Sequence, residues 1–306
     1  MNIGIIGVGN WGKKLLNIFN NISNVKACAC LDVEKNINWF KKHYPKIILT
    51  DNYKKILDDT LIDAVVIATP IKNHYQIARE SIIAQKHIFI EKPVASSAVE
   101  VNKLIKLEHS KFFFINHIFL YNPCFVLLKS IIQKVKVNNI KMIWNKFGSF
   151  NEDLVYNLFT HEIAILSDLF DFEITNLDII TNKGVVTNCD MLRVHFFING
   201  ISCDLSINRY HPKKEKIIMI RSENKTAFKW VDNSIFLFDQ KRNKNKLLLK
   251  NEKNTLEISG RAFLKYIRSD SVNYHSDLAF GSRVLQYVDN IAREINSNPD
   301  LIDDKT

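Results

Sequence analysis

Ile3-Gly4-Ile5-Ile6-Gly7-Val8-Gly9-Asn10-Trp11-Gly12 decides the fold of the first half of this chain. A short apolar run ends in a glycine, the glycines recur as G-x-G-x-x-G, and a helical stretch begins at about Asn10. The hexamer alone is weak; its place between a strand and a helix gives it meaning. In such a turn Gly7 permits the tight bend, Gly9 lets main chain approach a pyrophosphate, and Gly12 lets helix and strand pack closely. Free N–H groups at the helix start favour a phosphate. Asp32 stands 20 residues past Gly12, at the end of the next strand, where its carboxylate can accept hydrogen bonds from a ribose diol. It would repel a 2′-phosphate, and Val33 and Glu34 follow with no arginine, so NAD is expected rather than NADP.

Outward from that turn, strand and helix alternate. Val25–Leu31, Ile47–Leu49, Asp63–Ala68, His87–Ile90 and Lys111–Ile115 read as strands. Glu34–His43, Tyr53–Leu57, Lys72–Ala84 and Ser97–His109 read as helices. This alternation predicts right-handed βαβ units on a parallel sheet, a Rossmann-type doubly wound α/β domain over residues 1–116. Residues 117–306 read differently. Helical stretches at about Pro123–Lys134 and Asp153–Phe170 flank a strand near Ile140–Trp144. Strand-like runs follow at Met191–Ile198, Ile201–Asn208, Lys216–Arg221, Thr226–Val231 and Ser234–Phe238, with Asn199-Gly200 as a hairpin turn. A last helix, Asp277–Ile295, carries one apolar face. An α+β domain with an open, largely antiparallel sheet is expected, serving substrate binding and oligomerisation.

Composition narrows the classes. A chain of 306 residues suits two domains, and only 9 Gly and 6 Pro exclude collagen-like or low-complexity chains. Apolar runs such as Ala64–Ala68 fall short of the ~18 residues of a membrane span. The start lacks a basic n-region and a cleavage site, so a cytoplasmic protein with no membrane partner is expected. The net charge of +10 would suit an anionic partner, yet the lysines are scattered and no nucleic-acid recognition motif accompanies them. The densest basic run, Lys241–Lys246, reads as a hairpin loop. Cys28, Cys30, Cys124, Cys189 and Cys203 include no C-x-x-C pair, so free thiols and no metal are expected.

Glu91-Lys92-Pro93 ends the fifth strand, and in open α/β sheets ligands bind beyond the carboxyl ends of strands. An ammonium there can polarise a substrate oxygen. Positions 157 and 161 are four apart on one predicted helix, so Asn157 and His161 share a face, and His161 can take a hydroxyl proton.

Gly7–Gly12, Ala68-Thr69-Pro70 with His74, and Glu91-Lys92-Pro93 together resemble the Gfo/Idh/MocA oxidoreductases, over nearly the whole chain. The resemblance implies a nicotinamide-dependent enzyme acting on sugars, inositols or nucleotide sugars. It implies cofactor contacts at Gly7, Gly9, Asn10, Trp11, Gly12, Asp32, Thr69, Pro70, Glu91 and Lys92, with Lys92 also catalytic or substrate-orienting. The family's D-x-x-x-H helix corresponds to Asn157…His161, so His161 matches as the second catalytic residue and Asn157 replaces an acid. An amide can hold a sugar hydroxyl but cannot accept a proton; Asp153, one turn back, is the alternative acid. His74, Asn157 and Lys214 are implied as substrate contacts. Asn116–Pro123 looks like the nucleotide-sugar branch. The basic stretch Arg209–Lys216 resembles that branch's link between two strands and would suit a diphosphate, or equally guard a sheet edge. Tyr274 and His275 precede the last helix and could face the site.

The expected function is hydride transfer between NAD and a sugar carbon, most of all in a nucleotide-linked sugar, in a homo-oligomer. The alternatives are a dehydrogenase of a free sugar, inositol or other polyol, and a dinucleotide-binding regulatory protein with impaired catalysis.

Overall fold

The computed structural model describes residues 1–30, 34–107, 111–171, 173–239, 243–269 and 275–297. The chain divides into two compact units, Met1–Ile118 with Asn254–Leu285, and Phe119–Lys253 with the part from Gln286 onward.

The first unit is built on a parallel six-stranded sheet: β1 (Asn2–Ile6), β2 (Asn24–Ala29), β3 (Ile48–Thr50), β4 (Ala64–Ile67), β5 (His87–Glu91) and β6 (Phe113–Asn116). The order is β3-β2-β1-β4-β5-β6. Every residue of β4 and β6 is buried, which explains their continuous apolar character. The linking helices are α1 (Asn10–Ile22), α2 (Glu34–His43), α3 (Lys54–Asp58), α4 (His74–Ile83) and α5 (Ala98–Ile105). Because β1 pairs with both β2 and β4, the chain winds outward in opposite directions from the β1/β4 boundary. The carboxyl ends of these two strands therefore mark the switch point where such sheets bind ligands.

One helix of this unit was not foreseen. α8 (Thr255–Ser269) packs on α1, and its Phe263 ring lies 6.2 Å from Phe19, 5.5 Å from Phe89 and 5.7 Å from Phe114. That aromatic burial draws residues 254–285 back to the first unit, where the sequence reading assigned everything past Asn116 to the second.

The second unit carries an eight-stranded sheet, ordered β14-β13-β12-β11-β7-β10-β9-β8. Its strands are β7 (Val137–Phe147), β8 (Ile174–Lys183), β9 (Met191–Ile198), β10 (Ile201–Asn208), β11 (Tyr210–Ser222), β12 (Thr226–Val231), β13 (Ser234–Asp239) and β14 (Lys244–Lys250). Only β7 and β10 pair in parallel among these neighbours. Asn199 and Gly200 take positive φ of 49° and 79°, the tight turn their sequence predicts between β9 and β10. Alternate residues Ile140, Met142, Trp144, Ile218, Ile220, Phe228 and Trp230 form a buried face, and α6 (Pro123–Ile132) packs beside β12 and β13. The expected helix over 153–170 begins as a π-helical turn, Val155–Phe159, and continues as α7 (Thr160–Leu169). The last helix, α9, spans Leu278–Ser297.

Two expectations change. The stretch 209–216 does not link two strands: it enters β11, whose pairing with β7 shifts between Tyr210 and Glu215. Lys244–Lys246 of the basic run lies in β14 rather than in a loop, while Lys241 and Arg242 fall outside the described residues. Among the described residues no helix is long and apolar enough to cross a membrane, and the five cysteines are free thiols.

Candidate active site

In the first unit the glycine turn joins β1 to α1. Gly7 has φ +99°, and a β-carbon there would stand 2.6 Å from the Ala68 carbonyl oxygen at the end of β4. Gly9 differs: among the described residues nothing lies within 4 Å of where its β-carbon would be. The N-cap of α1 is Gly9, which has no side chain to cap it, and no acid occupies the first turn, so its free N–H groups face no competing anion on the helix. Asn10 and Trp11 are exposed there, and the Lys14 ammonium lies 4.3 Å from the Trp11 ring centroid. At the adjacent strand end the buried Thr69 hydroxyl oxygen has no hydrogen-bond partner among the described residues, and Pro70 is exposed. Open space at Gly9, uncapped amides and an unpartnered hydroxyl fit the phosphates and ribose of a dinucleotide. Asp32, which would select among dinucleotides, lies outside the described residues.

His74 is placed otherwise than the sequence suggested. It is 1% exposed, with Nδ1 2.7 Å from the Pro93 carbonyl oxygen and Nε2 2.8 Å from the Thr69 carbonyl oxygen. Both ring nitrogens face main chain, so the expected substrate contact is corrected to a positioning one: His74 ties the loop after β4 to the loop after β5. Burial holds its pKa below the ordinary value, against the pull of the two carbonyls and with the help of nearby Lys92.

Lys92 follows β5 directly, half-buried, in a cis peptide with Pro93. Behind it, Glu91 accepts a 2.7 Å hydrogen bond from the Asn116 amide of β6. Burial pushes the Glu91 carboxyl up, while Asn116 and the Lys92 ammonium pull it down by less. His275 is exposed in this unit, and Tyr274 falls outside the described residues.

In the second unit His161 is the second residue of α7 and 8% exposed; Asn157, 9% exposed, lies in the π turn before it. The Asp153 carboxylate accepts hydrogen bonds from the Val155 and Tyr156 N–H groups at 2.8 and 3.0 Å. Through that one oxygen it caps the helical segment. Around His161 stand Phe119, at 5.0 Å between ring centroids, and Trp144 of β7, at 5.5 Å.

Lys216, expected only as the end of the basic stretch 209–216, turns inward. It is buried, its ammonium bonds the Glu162 carboxylate, and it lies 3.9 Å from the Trp144 centroid and 4.5 Å from that of Phe119. Burial pulls its pKa well below the ordinary lysine value. Its partner is 54 residues away in sequence, and only the alternation of β11 hints that it faces inward with Ile218 and Ile220.

Arg209 is also removed from any diphosphate. At 1% exposure its guanidinium bonds Asp190 at 2.8 Å, the Ser149 carbonyl at 2.9 Å and the Cys189 carbonyl at 3.0 Å. Of the basic stretch, Lys213 and Lys214 remain exposed at the β11 irregularity, with Lys213 paired to Glu215. The Lys146 ammonium of β7 is lowered by burial and then by Lys214. A cavity of about 860 Å³ lies on the opposite face of this sheet, against Met219, Lys229, Phe236 and Phe238.

Comparison with known proteins follows the same division. Residues 1–115 match the Gfo/Idh/MocA family description, an oxidoreductase family with an NAD-binding Rossmann fold. An uncharacterized oxidoreductase, YrbE, of Bacillus subtilis is 30% identical over 138 residues, 44% of this chain. The match spans 40% of that relative's length. UDP-N-acetylglucosamine 3-dehydrogenase GnnA from Acidithiobacillus ferrooxidans superposes with a TM-score of 0.88, covering 98% of this chain and 99% of that one at 19% identity. A levoglucosan dehydrogenase in complex with NADH and levoglucosan gives a TM-score of 0.83 at 18% identity, covering 97% of each chain. At these identities the two structures speak for the two-part fold alone. The likeness to the Gfo/Idh/MocA oxidoreductase family thus rests on residues 1–115, its NAD-binding Rossmann fold.

Proposed function

We propose that this protein is an NAD-dependent oxidoreductase moving hydride to or from a sugar carbon, most of all in a nucleotide-linked sugar. The observation that carries the reading is the open cradle at Gly9, set at the switch point one strand away from Lys92 of β5. When bound, the nicotinamide supplies the hydride acceptor or donor. Gly7, Gly9 and Gly12 with the α1 amides of Asn10 and Trp11 hold the phosphates; Asp32 holds a ribose and favours NAD over NADP. Thr69, Pro70 and Glu91 complete the cofactor contacts.

Lys92 orients the reacting oxygen by donating to it, and His161 accepts the hydroxyl proton as hydride leaves the carbon. Asn157 holds a neighbouring hydroxyl, and Lys214 meets the charged end of a nucleotide sugar. A nucleotide sugar is favoured by the GnnA likeness in fold over both whole chains and by the exposed lysines at the β11 irregularity. A free sugar or polyol is the second reading, supported by the name of the levoglucosan dehydrogenase. Asn157 leaves a third reading, a dinucleotide-binding regulator, to be separated by turnover. The outer sheet face around Met219 and Phe236 is the surface through which a homo-oligomer would form, testable by light scattering on the eluted protein.

Incubation with NAD and a panel of UDP-, dTDP- and GDP-sugars and free polyols tests the reading. Growth of reduced nicotinamide absorbance with a nucleotide sugar supports it; NAD binding with no turnover of any member favours the regulator.

A further inference from the structure

We infer that Lys216 is a positioning residue for His161, and that its ammonium, held by Glu162 across the faces of Trp144 and Phe119, keeps the His161 imidazole neutral and fixed in direction. The inference rests on the reading of His161 as a proton acceptor, since only a neutral imidazole can take a hydroxyl proton.

Four groups make one box. Phe119 and Trp144 meet edge to face at 5.6 Å and 89°, and the His161 ring rests on both, at 84° to Phe119 and 49° to Trp144. Lys216 lies over the same two rings at 4.5 and 3.9 Å. Glu162 adjoins His161 in sequence, and successive helix side chains leave the axis about 100° apart. The ammonium stands over both rings that His161 touches. Lys216 is also opposite Trp144 in the β11–β7 register, and its carbonyl accepts from the Asp232 N–H, so its main chain cannot drift.

The turn at Ile118–Tyr121 presents Phe119, β7 presents Trp144, and β12 presents Trp230 against Phe119, none of them charged. β11 presents Lys216, and α7 itself presents Glu162. Further along α7, Asp168 is paired with Lys129 at 2.8 Å; at the start of the helical segment Asp153 is taken up by two N–H groups; on β7 the Lys146 ammonium bonds Ser149 at 2.6 Å. A cation over the two shared rings disfavours imidazolium. Glu162 Oε2 is buried with no hydrogen-bond partner among the described residues, so removing Lys216 alone leaves a bare carboxylate beside the box.

The test is an NMR pH titration of the His161 ring in the full chain without cofactor or substrate, its signal assigned by its loss in His161→Gln. Lys216→Met should raise the midpoint by about one unit or more. Glu162→Gln should lower it, and the double variant, which leaves no unpaired charge, should raise it by less than Lys216→Met. Near-UV circular dichroism of the tryptophans reports folding. Should Lys216→Met not fold, the double variant decides by the same sign. A midpoint unchanged or lowered in Lys216→Met, or in the double variant when it alone folds, overturns the inference. Turnover lost in His161→Ala with an unmoved midpoint in Lys216→Met would overturn the inference and leave the proposed function standing. The expected midpoint shifts with no turnover anywhere in the panel would do the reverse.

Discussion

Gly12 approaches Gly7 so closely that a β-carbon on residue 12 would stand 2.1 Å from the Gly7 carbonyl oxygen. Among the described residues nothing comparable exists at Gly9, where the same atom would meet no neighbour within 4 Å. Three glycines of one motif thus have separable duties. Gly12→Ala must push the α1 start away from β1, and a loss of about 3 kcal/mol or more is expected in urea unfolding. Gly9→Ala should unfold at the wild-type midpoint, since its backbone is extended at φ −75° and ψ −163°, and yet lose NAD affinity at least tenfold by calorimetry. Equal stability losses in both would remove the distinction between packing and cradle.

His74 supplies a prediction about acid. Burial holds its folded pKa below 6.5, the value the unfolded chain shows. As pH falls through 6.5, the unfolded chain takes a proton that the folded one resists, so this group's contribution is present above 6.5 and is lost below it until the folded pKa is passed. Urea unfolding at pH 7.5 and at 5.5 should therefore show a larger acid loss in wild type than in His74→Asn. A difference of the opposite sign would mean that the two carbonyls outweigh burial and that the ring is held charged.

Arg209 and Asp190 form a buried ion pair, their side chains 2% and 0% exposed. Burial works against the Asp190 carboxylate. The N–H groups of Thr187, Val185 and Val186 and the Thr187 hydroxyl outweigh it and hold the pKa well below the ordinary value. Asp190→Ala leaves the guanidinium without its counter-charge, and a cost of about 3–5 kcal/mol is expected. Because the folded pKa is depressed, the wild-type contribution is present above about pH 4 and fades as pH falls further. Thermal unfolding at pH 7 and at pH 3 should show the gap between wild type and variant closing at the lower pH.

Phe263 tests the return of α8 to the first unit. Its ring sits among Phe19, Phe89 and Phe114 and is fully buried. Phe263→Ala should cost about 3–5 kcal/mol and expose the α1–α8 contact to hydrogen exchange. Protection unchanged in α1 and β5 would argue that α8 is not part of that core.

The parallel sheet and its cofactor turn were legible because each carries a local signal. β4 is a buried apolar run, and Gly7–Gly12 needs only its neighbours in sequence to be understood. β8 and β14 were not legible because they are the edges of their sheet. Edge strands keep polar and charged residues, as in Ile174-Thr175-Asn176-Leu177-Asp178 and Lys244-Asn245-Lys246, and so lose the alternation that marks a strand. Burial of a charge is another matter. Arg209 and Lys216 sit in a run that reads as a diphosphate contact or a guarded sheet edge, and only partners far away in sequence, Asp190 and Glu162, turn them inward. His74 looked like a substrate contact for a related reason: the carbonyls that hold it belong to two loops joined only by folding.

In the proposed hydride transfer Lys92 and His161 handle the substrate oxygen and its proton. The most direct measurement is turnover of NAD with the nucleotide-sugar panel in wild type, Lys92→Ala and His161→Ala, beside calorimetric NAD affinity for each. Expected are reduction of NAD by a nucleotide sugar in wild type, its loss by a factor of ~100 or more in each variant, and NAD affinity within about threefold in all three. Wild-type turnover that survives undiminished in both variants would contradict those roles of the two residues.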